Sequence, residues 1–272
     1  MKSPRKIFEK EKLLFGMVHT LASPGTPKYG SNVEEIIDTA LSEAEILFNN
    51  NFDGIIIENM HDVPYLNRNV GPEVVSLMSI IGYEIKKEFQ KPVGIQILAG
   101  ANKEALAVAK AAGLDFIRAE GFVFSHIADE GLMNSDAGEL LRYRKLIDAE
   151  DILIFTDIKK KHSSHNITAD VDIVETAKAA EFFLSDGLII TGKSTAQEAD
   201  INEIKNVYEN TSLPVLIGSG ITEENLENYF PYANGFIVGS YLKENSDWKN
   251  RIDSKRVSKL SEKFNRLAEK FQ

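Results

Sequence analysis

Short apolar runs alternate with longer amphipathic stretches along the chain, and the alternation recurs about eight times. The runs are almost continuously apolar, which is typical of parallel strands buried on both faces. Each run therefore predicts one strand of a parallel sheet. The runs are Leu13–Val18, Gly54–Ile57, Pro92–Leu98, Phe116–Ala119, Ile152–Thr156, Gly187–Ile190, Val215–Ile217 and Gly235–Val238.

The stretches between these runs carry the signals that start and stop helices. Asn32 precedes a segment with apolar residues at helical spacing, and Pro72 lies where a first helical turn is expected. Asn102 is predicted to cap a helix over Lys103–Ala112, with Gly113 as its C-terminal stop. Strict alternation of strands and helices indicates a parallel α/β sheet.

The number of strand–helix units predicts a closed (β/α)₈ barrel, the TIM barrel, as a single domain over residues 1–272. Residues 1–12 form an N-terminal extension and residues 254–271 the final helix. An open doubly wound sheet would also alternate, but no predicted strand is followed by a Gly-x-Gly-x-x-Gly turn. The barrel is therefore the favoured fold.

Composition limits the class of partner. The net charge of −10 argues against a nucleic-acid partner, since phosphate backbones need a basic surface. Any anion site must then be local, built from backbone N–H groups or a few cations. The chain has no cysteine, which excludes disulfides and a thiolate nucleophile. Its first twelve residues lack the apolar core of a signal peptide, and no apolar window reaches the ~20 residues of a membrane span. We expect a cytoplasmic protein.

Functional residues of this fold lie where the strands end at their C-terminal side. His19, Glu58, Asp157 and Lys159 are the predicted catalytic residues, because carboxylates and a histidine can exchange protons and a lysine can stabilise an oxyanion or attack a carbonyl. The alternative is that the carboxylates are ion-paired with Arg118, Lys159 or Lys193. The predicted substrate-binding residues are Asn59, Asp62, Gln96, Arg118, Glu120, His162 and Thr191.

Two glycine turns follow the seventh and eighth predicted strands. Gly218-Ser219-Gly220 and Gly239-Ser240 let the backbone approach an anion closely, and a helix starting near Thr222 would add free N–H groups. Gly192, after the sixth strand, is included in this prediction. Paired turns at these positions form the phosphate site of many barrels, although glycines can also merely relieve tight turns.

Motifs spread over nearly the whole chain resemble the BtpA family, which includes SgcQ-type proteins. The segments are Gly16–His19, Pro24–Tyr29, Glu58–Tyr65, Gly94–Leu98, Asp115–Arg118, Asp129–Leu132, Leu141–Arg144, Asp157–His162, Pro214–Gly220 and Asn234–Ser240. The resemblance implies a barrel of the ribulose-phosphate-binding type. It implies little chemistry, because the family's namesake is associated with photosystem I and other members carry vague labels such as nucleoside triphosphatase.

Three functions remain open at this point. The first is an isomerase or lyase that moves protons on a small phosphorylated sugar or related metabolite, with no cofactor. The second is a non-catalytic assembly factor, for which Phe122, Phe124 and Tyr65 would supply an apolar patch. The third is a metal-dependent hydrolase or nucleotide phosphatase that holds a divalent metal on His162, His165 and Asp157. The favoured first function includes no metal site, and a divalent metal belongs only to the third. A homo-oligomer is a further candidate, and the long loop over Phe122–Ser135 is interpreted as a lid.

Overall fold

The computed structural model describes residues 10–30, 32–192 and 197–271. Its centre is a closed barrel of eight parallel strands, which confirms the predicted fold. Neighbouring strands follow chain order around the barrel, and the last strand pairs with the first. The barrel strands are β1 (Leu13–His19), β2 (Gly54–Glu58), β3 (Val93–Gln96), β4 (Phe116–Ala119), β7 (Leu153–Ile158), β9 (Gly187–Ile190), β10 (Val215–Gly218) and β11 (Gly235–Val238). Outside the barrel lie β5 (His126–Ala128), β6 (Gly131–Met133) and β8 (Ser163–Ser164).

The described residues include eight α-helices around this barrel. They are α1 (Val33–Asn49), α2 (Pro72–Phe89), α3 (Asn102–Ala112), α4 (Ala137–Leu146), α5 (Ile173–Phe182), α6 (Ile201–Asn210), α7 (Leu226–Tyr229) and α8 (Ser254–Lys270). Asn32 caps α1 by accepting a hydrogen bond from the Glu35 N–H, and Gly113 ends α3 in the left-handed conformation that glycine favours.

The prediction for Asn102 was wrong, because this residue is the first residue of α3 and not its cap. Its buried side chain bonds to the backbone of Glu120 instead. Nδ2 donates to the Glu120 carbonyl at 2.8 Å, and Oδ1 accepts from the Glu120 N–H at 3.1 Å. Asn102 therefore holds the end of β4 against the start of α3.

Alternate residues of each strand face two different cores. The outer core lies between strands and helices and includes Leu14, Ile55 and Ile117. The inner core fills the barrel and includes Phe15 and Phe155. Both sets are buried, which explains why the strands are continuously apolar in sequence.

Three phenylalanines fill the barrel interior because a glycine lies opposite each of them. Gly54 pairs with Phe15, Gly94 with Phe116, and Gly187 with Phe155. A Cβ atom on any of the three glycines would lie within 2.7 Å of the opposite ring. Each glycine is therefore required by the space that the neighbouring ring occupies.

Gly94→Ala is expected to lower the free energy of unfolding by about 1–3 kcal/mol, the usual cost of overpacking a core. The added methyl would lie 2.1 Å from Cε2 of Phe116. Urea denaturation measures the effect. Gly138→Ala is the matched control, since its methyl would meet only the end of the Arg142 side chain at 3.3 Å in the first turn of α4. Equal losses in the two variants would contradict this account of the interior.

The predicted lid contains a β-hairpin, which is part of a small antiparallel sheet at the C-terminal end of the barrel. Strands β5 and β6 form a hairpin, and β8 pairs with the other edge of β5 through Ile127↔Ser164 and Ala128↔Ser163. Because β8 follows β7 closely in sequence, the sheet connects the loops after the fourth and fifth barrel strands.

The loop after β2 attaches the hairpin to the barrel. Arg68 donates to the carbonyl groups of Gly100, Gly121 and Asn134, and it pairs with Asp136. Asn67 donates to the carbonyls of Glu130 at 3.2 Å and Leu132 at 3.0 Å. Arg68 thus binds three carbonyl groups at the base of the hairpin and attaches the hairpin to the loop after β2.

Candidate active site

Two cavities open at the C-terminal end of the barrel and share one wall. The first, of about 160 Å³, reaches the loops after β10 and β11. The second, of about 220 Å³, lies beneath the hairpin and reaches Gln96, Glu120 and Trp248. Glu58, Met60, Arg118 and Lys161 line both. The arrangement suits a ligand with two chemically different ends.

Both predicted glycine turns line the first cavity. Gly218, Ser219 and Gly220 form one side, while Gly239 and Ser240 form another. Gly220 has φ +63°, a conformation that disfavours residues with a side chain. Within the described part of the chain, the N–H groups of Gly220, Ile221, Ser240 and Tyr241 donate to no carbonyl or side chain. These amides surround a space that can receive an anion.

The helix expected near Thr222 begins four residues later, so that prediction was wrong. Helix α7 starts at Leu226, and the Thr222 N–H donates to Oδ1 of Asn225 at 2.8 Å. Asn225 also donates to the Gly220 carbonyl at 2.7 Å. The amide of Thr222 is therefore occupied within its own turn.

Gly192 does not line either cavity, in contrast to its predicted role. A Cβ atom at this position would lie 2.3 Å from the carbonyl oxygen of Gln197. Glycine is required at position 192 because the backbone of Gln197 passes too close for a side chain. Lys193, the third predicted ion-pair partner, lies outside the described residues.

His19 and Glu58 end neighbouring strands and face each other in the first cavity. Nε2 of His19 lies 3.5 Å from Oε2 of Glu58, and Nδ1 lies 3.3 Å from the Trp248 carbonyl. That carbonyl favours the tautomer with hydrogen on Nδ1, which leaves a lone pair on Nε2 directed at Glu58.

Burial disfavours charge on both members of this pair. It lowers the pKa of His19 well below its usual value, and nearby Lys243 lowers it further. Burial also raises the pKa of Glu58, although the charge of Arg118 opposes this shift. Burial thus favours the neutral form of each group, and two neighbouring groups of this kind can exchange one proton.

Asp157 lies behind Arg118 and does not line the two cavities. Oδ2 of Asp157 accepts from Arg118 Nε at 2.8 Å, and Oδ1 accepts from Nη2 at 2.9 Å. The guanidinium is thereby fixed in the shared wall, and the charge of Asp157 raises its pKa against the opposing effect of burial. The structure gives Asp157 an orienting position, while Arg118 faces the ligand space.

Glu120 and Gln96 present hydrogen-bond acceptors to the second cavity. Gln96 Nε2 donates to Oε1 of Glu120 at 3.1 Å, which directs Oε1 of Gln96 away from this bond. Lys160 Nζ lies 3.1 Å from Oε2 of Glu120. Oε1 of Gln96 is buried and accepts no hydrogen bond from the described residues, whereas Oε2 of Glu120 is ion-paired with Lys160. A ligand with a hydroxyl or amine donor would satisfy the Gln96 oxygen.

The lysine tract after β7 turns Lys159 away from the cavities and Lys161 into them. Lys159 has φ +49°, and its Nζ donates to the Thr168 carbonyl at 3.1 Å. It borders a separate small space beside His126 and His165. Lys161, in contrast, lines both main cavities. The placement of Lys159 differs from the expected ligand contact because the backbone reverses direction at that residue.

Three other predicted substrate contacts support loops. Asn59 accepts from the Leu98 N–H and donates to Asp62, and Asp62 accepts from the Ser23 N–H at 2.7 Å. Thr191 Oγ1 accepts from the Lys161 N–H at 3.1 Å. Asn59 and Asp62 thus join the loops after β1, β2 and β3, while Thr191 fixes the backbone that carries Lys161.

The histidines of the hairpin region do not assemble a metal site. His162 lines the second cavity, whereas His165 lies beside His126 with their ring centres 5.4 Å apart. Burial lowers the pKa of His126 to about 4. Across residues 10–30, 32–192 and 197–271, no group of three His, Cys, Asp or Glu side chains is arranged to hold a metal ion.

Several residues of the site were missed in the sequence. Lys160 and Lys161 follow Lys159 in a run of three lysines and were not among the predicted site residues, and Trp248 lies in an irregular loop after the last barrel strand. The Trp248 ring packs against His61 at 5.1 Å between centres and borders the second cavity. Trp248 is the single tryptophan of the chain, so its fluorescence can report on ligand binding.

Comparisons of sequence give close relatives over almost the whole chain. The sequence model of the BtpA family matches residues 10–266. An uncharacterized mitochondrial protein of Caenorhabditis elegans is 50% identical, covering 94% of this chain and 94% of its own length. The photosystem I biogenesis protein BtpA of Synechocystis is 35% identical, covering 94% of this chain and 88% of that protein.

Comparisons of structure give other barrels. Tryptophan synthase from Mycobacterium tuberculosis has a TM-score of 0.62 at 12% identity, covering 96% of this chain and 98% of its own. Thiamine phosphate pyrophosphorylase from Pyrococcus furiosus has a TM-score of 0.57 at 13% identity, covering 94% and 96%. At these identities the likeness concerns the fold alone. No helix in the described ranges has the length and apolar character to cross a bilayer.

Proposed function

This chain belongs to the BtpA family, and from that premise we propose that it is an enzyme acting on a small phosphorylated metabolite by isomerase- or lyase-type proton transfer. One observation carries the proposal. The two glycine turns after the last two barrel strands line the same cavity as the buried His19–Glu58 pair. Because a phosphate site and a proton-transfer pair would share one small cavity, the expected ligand carries both a phosphoryl group and an acidic C–H or O–H bond.

In the proposed complex, the phosphate accepts hydrogen bonds from the amides of Gly220, Ile221, Ser240 and Tyr241. The amides supply partial positive charge without the desolvation cost of a buried cation. The phosphorylated ligands named in thiamine phosphate pyrophosphorylase and in phosphoribosyl anthranilate isomerase support this choice for a barrel of similar fold.

The remainder of the ligand extends past the shared wall into the second cavity. Arg118, oriented by Asp157, faces the position where a carbonyl oxygen would gain negative charge. The free acceptor of Gln96 would bind a hydroxyl or amine donor of the ligand. The His19–Glu58 pair takes and returns the proton.

Gly239→Asp is expected to weaken binding of inorganic phosphate and phosphosugars by at least about tenfold, or roughly 1.4 kcal/mol, because a carboxylate would face the anion. An added Cβ at Gly239 would lie 3.2 Å from Cγ of Met17, a contact that Asp and Asn at this position share. Trp248 fluorescence measures the affinity.

Gly239→Asn is the matched control, since it adds nearly the same volume without charge. We expect it to bind phosphate more tightly than Gly239→Asp does. Equal affinities for the two variants, or no response of the wild-type protein to any phosphate ester, would overturn the proposed ligand class.

The alternative is an assembly factor, the role stated in the name of the Synechocystis relative. The predicted patch for this role does not form, because Phe122 is fully buried and only Phe124 is exposed. Partner capture that survives Glu58→Gln and Lys161→Arg, together with absence of phosphate binding, would favour this alternative.

A further inference from the structure

We propose that Lys161 is a nucleophile that forms an imine with a carbonyl carbon of the phosphorylated ligand. The inference rests on the proposed function and specifies its substrate class as phosphorylated aldehydes or ketones. It assigns covalent chemistry to a residue that is not among the site residues predicted from the sequence.

Lys161 lies where the two cavities meet. Its side chain lines the first cavity, which contains the glycine turns, and the second cavity, which contains Gln96 and Glu120. A ligand that spans both cavities must pass this side chain. The hydrogen bond from the Lys161 N–H to Thr191 Oγ1 holds its backbone at the end of the neighbouring strand, β9.

Lys161 differs from the buried lysines Lys160 and Lys243, each of which has a carboxylate partner. Lys160 lies 3.1 Å from a carboxylate oxygen of Glu120, and Lys243 lies 2.6 Å from Glu43. Lys161 has no carboxylate within 4.0 Å anywhere in the described ranges. Lys161 is half-buried at the mouth of the barrel, and its unpaired amine is therefore suited to a role toward a ligand.

The charges around Lys161 are consistent with a nucleophilic amine. Burial lowers the pKa of this amine, and the neighbouring charge of Arg118 lowers it further. Glu58, Asp157 and Glu120 oppose the shift without reversing it. A larger fraction of the side chain is then present as the neutral amine, the form that attacks carbonyl groups.

Formation of the imine needs only Lys161, Glu58 and the carbonyl group of the ligand. The Nζ lone pair forms a bond to the carbonyl carbon, and the C=O π electrons move to oxygen, which takes a proton from the Glu58 carboxyl. The Nζ ammonium returns a proton to Glu58. Loss of the carbinol oxygen as water, with a proton again from Glu58, leaves an iminium ion. Its positive nitrogen withdraws electrons from the adjacent C–H bond, and the His19–Glu58 pair, with Glu58 now a carboxylate, takes the proton of that bond while its electrons form the enamine.

The test is reductive trapping with glycolaldehyde phosphate and sodium borohydride, followed by intact mass measurement and peptide mapping. Borohydride converts the imine into a stable secondary amine. We expect one adduct per chain at Lys161, formed at least about tenfold faster than with unphosphorylated glycolaldehyde, since the phosphate site would orient the aldehyde. Lys161→Arg should lose the adduct, and Lys159→Arg, the matched control two residues away, should retain it.

Phosphate binding, measured separately through Trp248 fluorescence, distinguishes the two proposals. If glycolaldehyde phosphate binds but no adduct forms at Lys161, or if adducts are spread over surface lysines, the imine is overturned while the proposed function stands. If the wild-type protein neither binds the probe nor forms the adduct, both are overturned. The peptide map of the wild-type protein decides the assignment even where Lys161→Arg fails to fold.

Discussion

Arg118→Ala is expected to lower the free energy of unfolding by about 3–5 kcal/mol, the typical cost of leaving one member of a buried ion pair without its partner. Asp157 would keep a carboxylate in the barrel wall after losing hydrogen bonds of 2.8 and 2.9 Å. Both side chains are almost completely buried, so water cannot replace the guanidinium without rearrangement. Urea denaturation at neutral pH measures the loss.

The double variant Arg118→Met, Asp157→Leu is the informative control. Replacement of both charges by apolar groups should recover most of the lost stability, because the carboxylate that requires compensation is gone. Lys87→Ala, which removes an exposed ion pair with Glu84, should leave the unfolding midpoint nearly unchanged. A loss for Arg118→Ala no greater than that for Lys87→Ala would contradict the described pair.

Glu58→Gln is expected to reduce proton transfer to the bound ligand by about 10²–10⁴-fold, the usual contribution of a positioned acid or base. Glutamine keeps the size and the buried position but cannot release a proton to Nε2 of His19. Incorporation of deuterium from solvent into a bound phosphosugar measures the effect. Inorganic phosphate should bind the variant as well as the wild-type protein, because Glu58 is not one of the amide groups around the anion.

Glu58→Gln should also change how the free energy of unfolding depends on pH. Burial raises the pKa of Glu58 in the folded protein, so the folded state favours the protonated carboxyl. The stability from this preference is present below the ordinary glutamate pKa and is lost as pH rises through the raised value. Glu58→Gln lacks this titration. Its stability relative to the wild-type protein should therefore increase with pH, and a constant difference would show that Glu58 has no raised pKa.

The barrel was predictable from the sequence because both of its cores are apolar. Side chains on either face of a barrel strand are buried, so each strand appears as a continuous hydrophobic run. The glycines of the phosphate-site prediction were recognisable for a related reason, since they follow the seventh and eighth runs directly. The observed strand ends differ from the predicted ones by a few residues where a side chain takes the place of the neighbouring strand as hydrogen-bond partner. The Leu98 N–H, for example, donates to Oδ1 of Asn59.

The site was less predictable because local backbone conformation decides which side chains face the ligand. Ile158 ends β7 and Lys159 adopts a left-handed conformation, so the direction of the following lysines does not follow from strand alternation. Trp248 reaches the cavity from an irregular loop that has no hydrophobic period. Phe122 was expected to be exposed, but it packs in the outer core, because the chain continues inward beyond the end of β4.

The pairing of β5 with β8 joins the hairpin to the segment that carries Lys160 and Lys161. If the hairpin swings outward to admit a ligand while keeping these backbone hydrogen bonds, it must pull the lysine segment with it. Entry of a ligand and assembly of the positive groups that receive it would then be a single movement. In the open form the amide cradle after β10 and β11 would stand beside His19, Glu58 and Arg118 without the two lysines, so a phosphate would be recognised before the amine of Lys161 is in place.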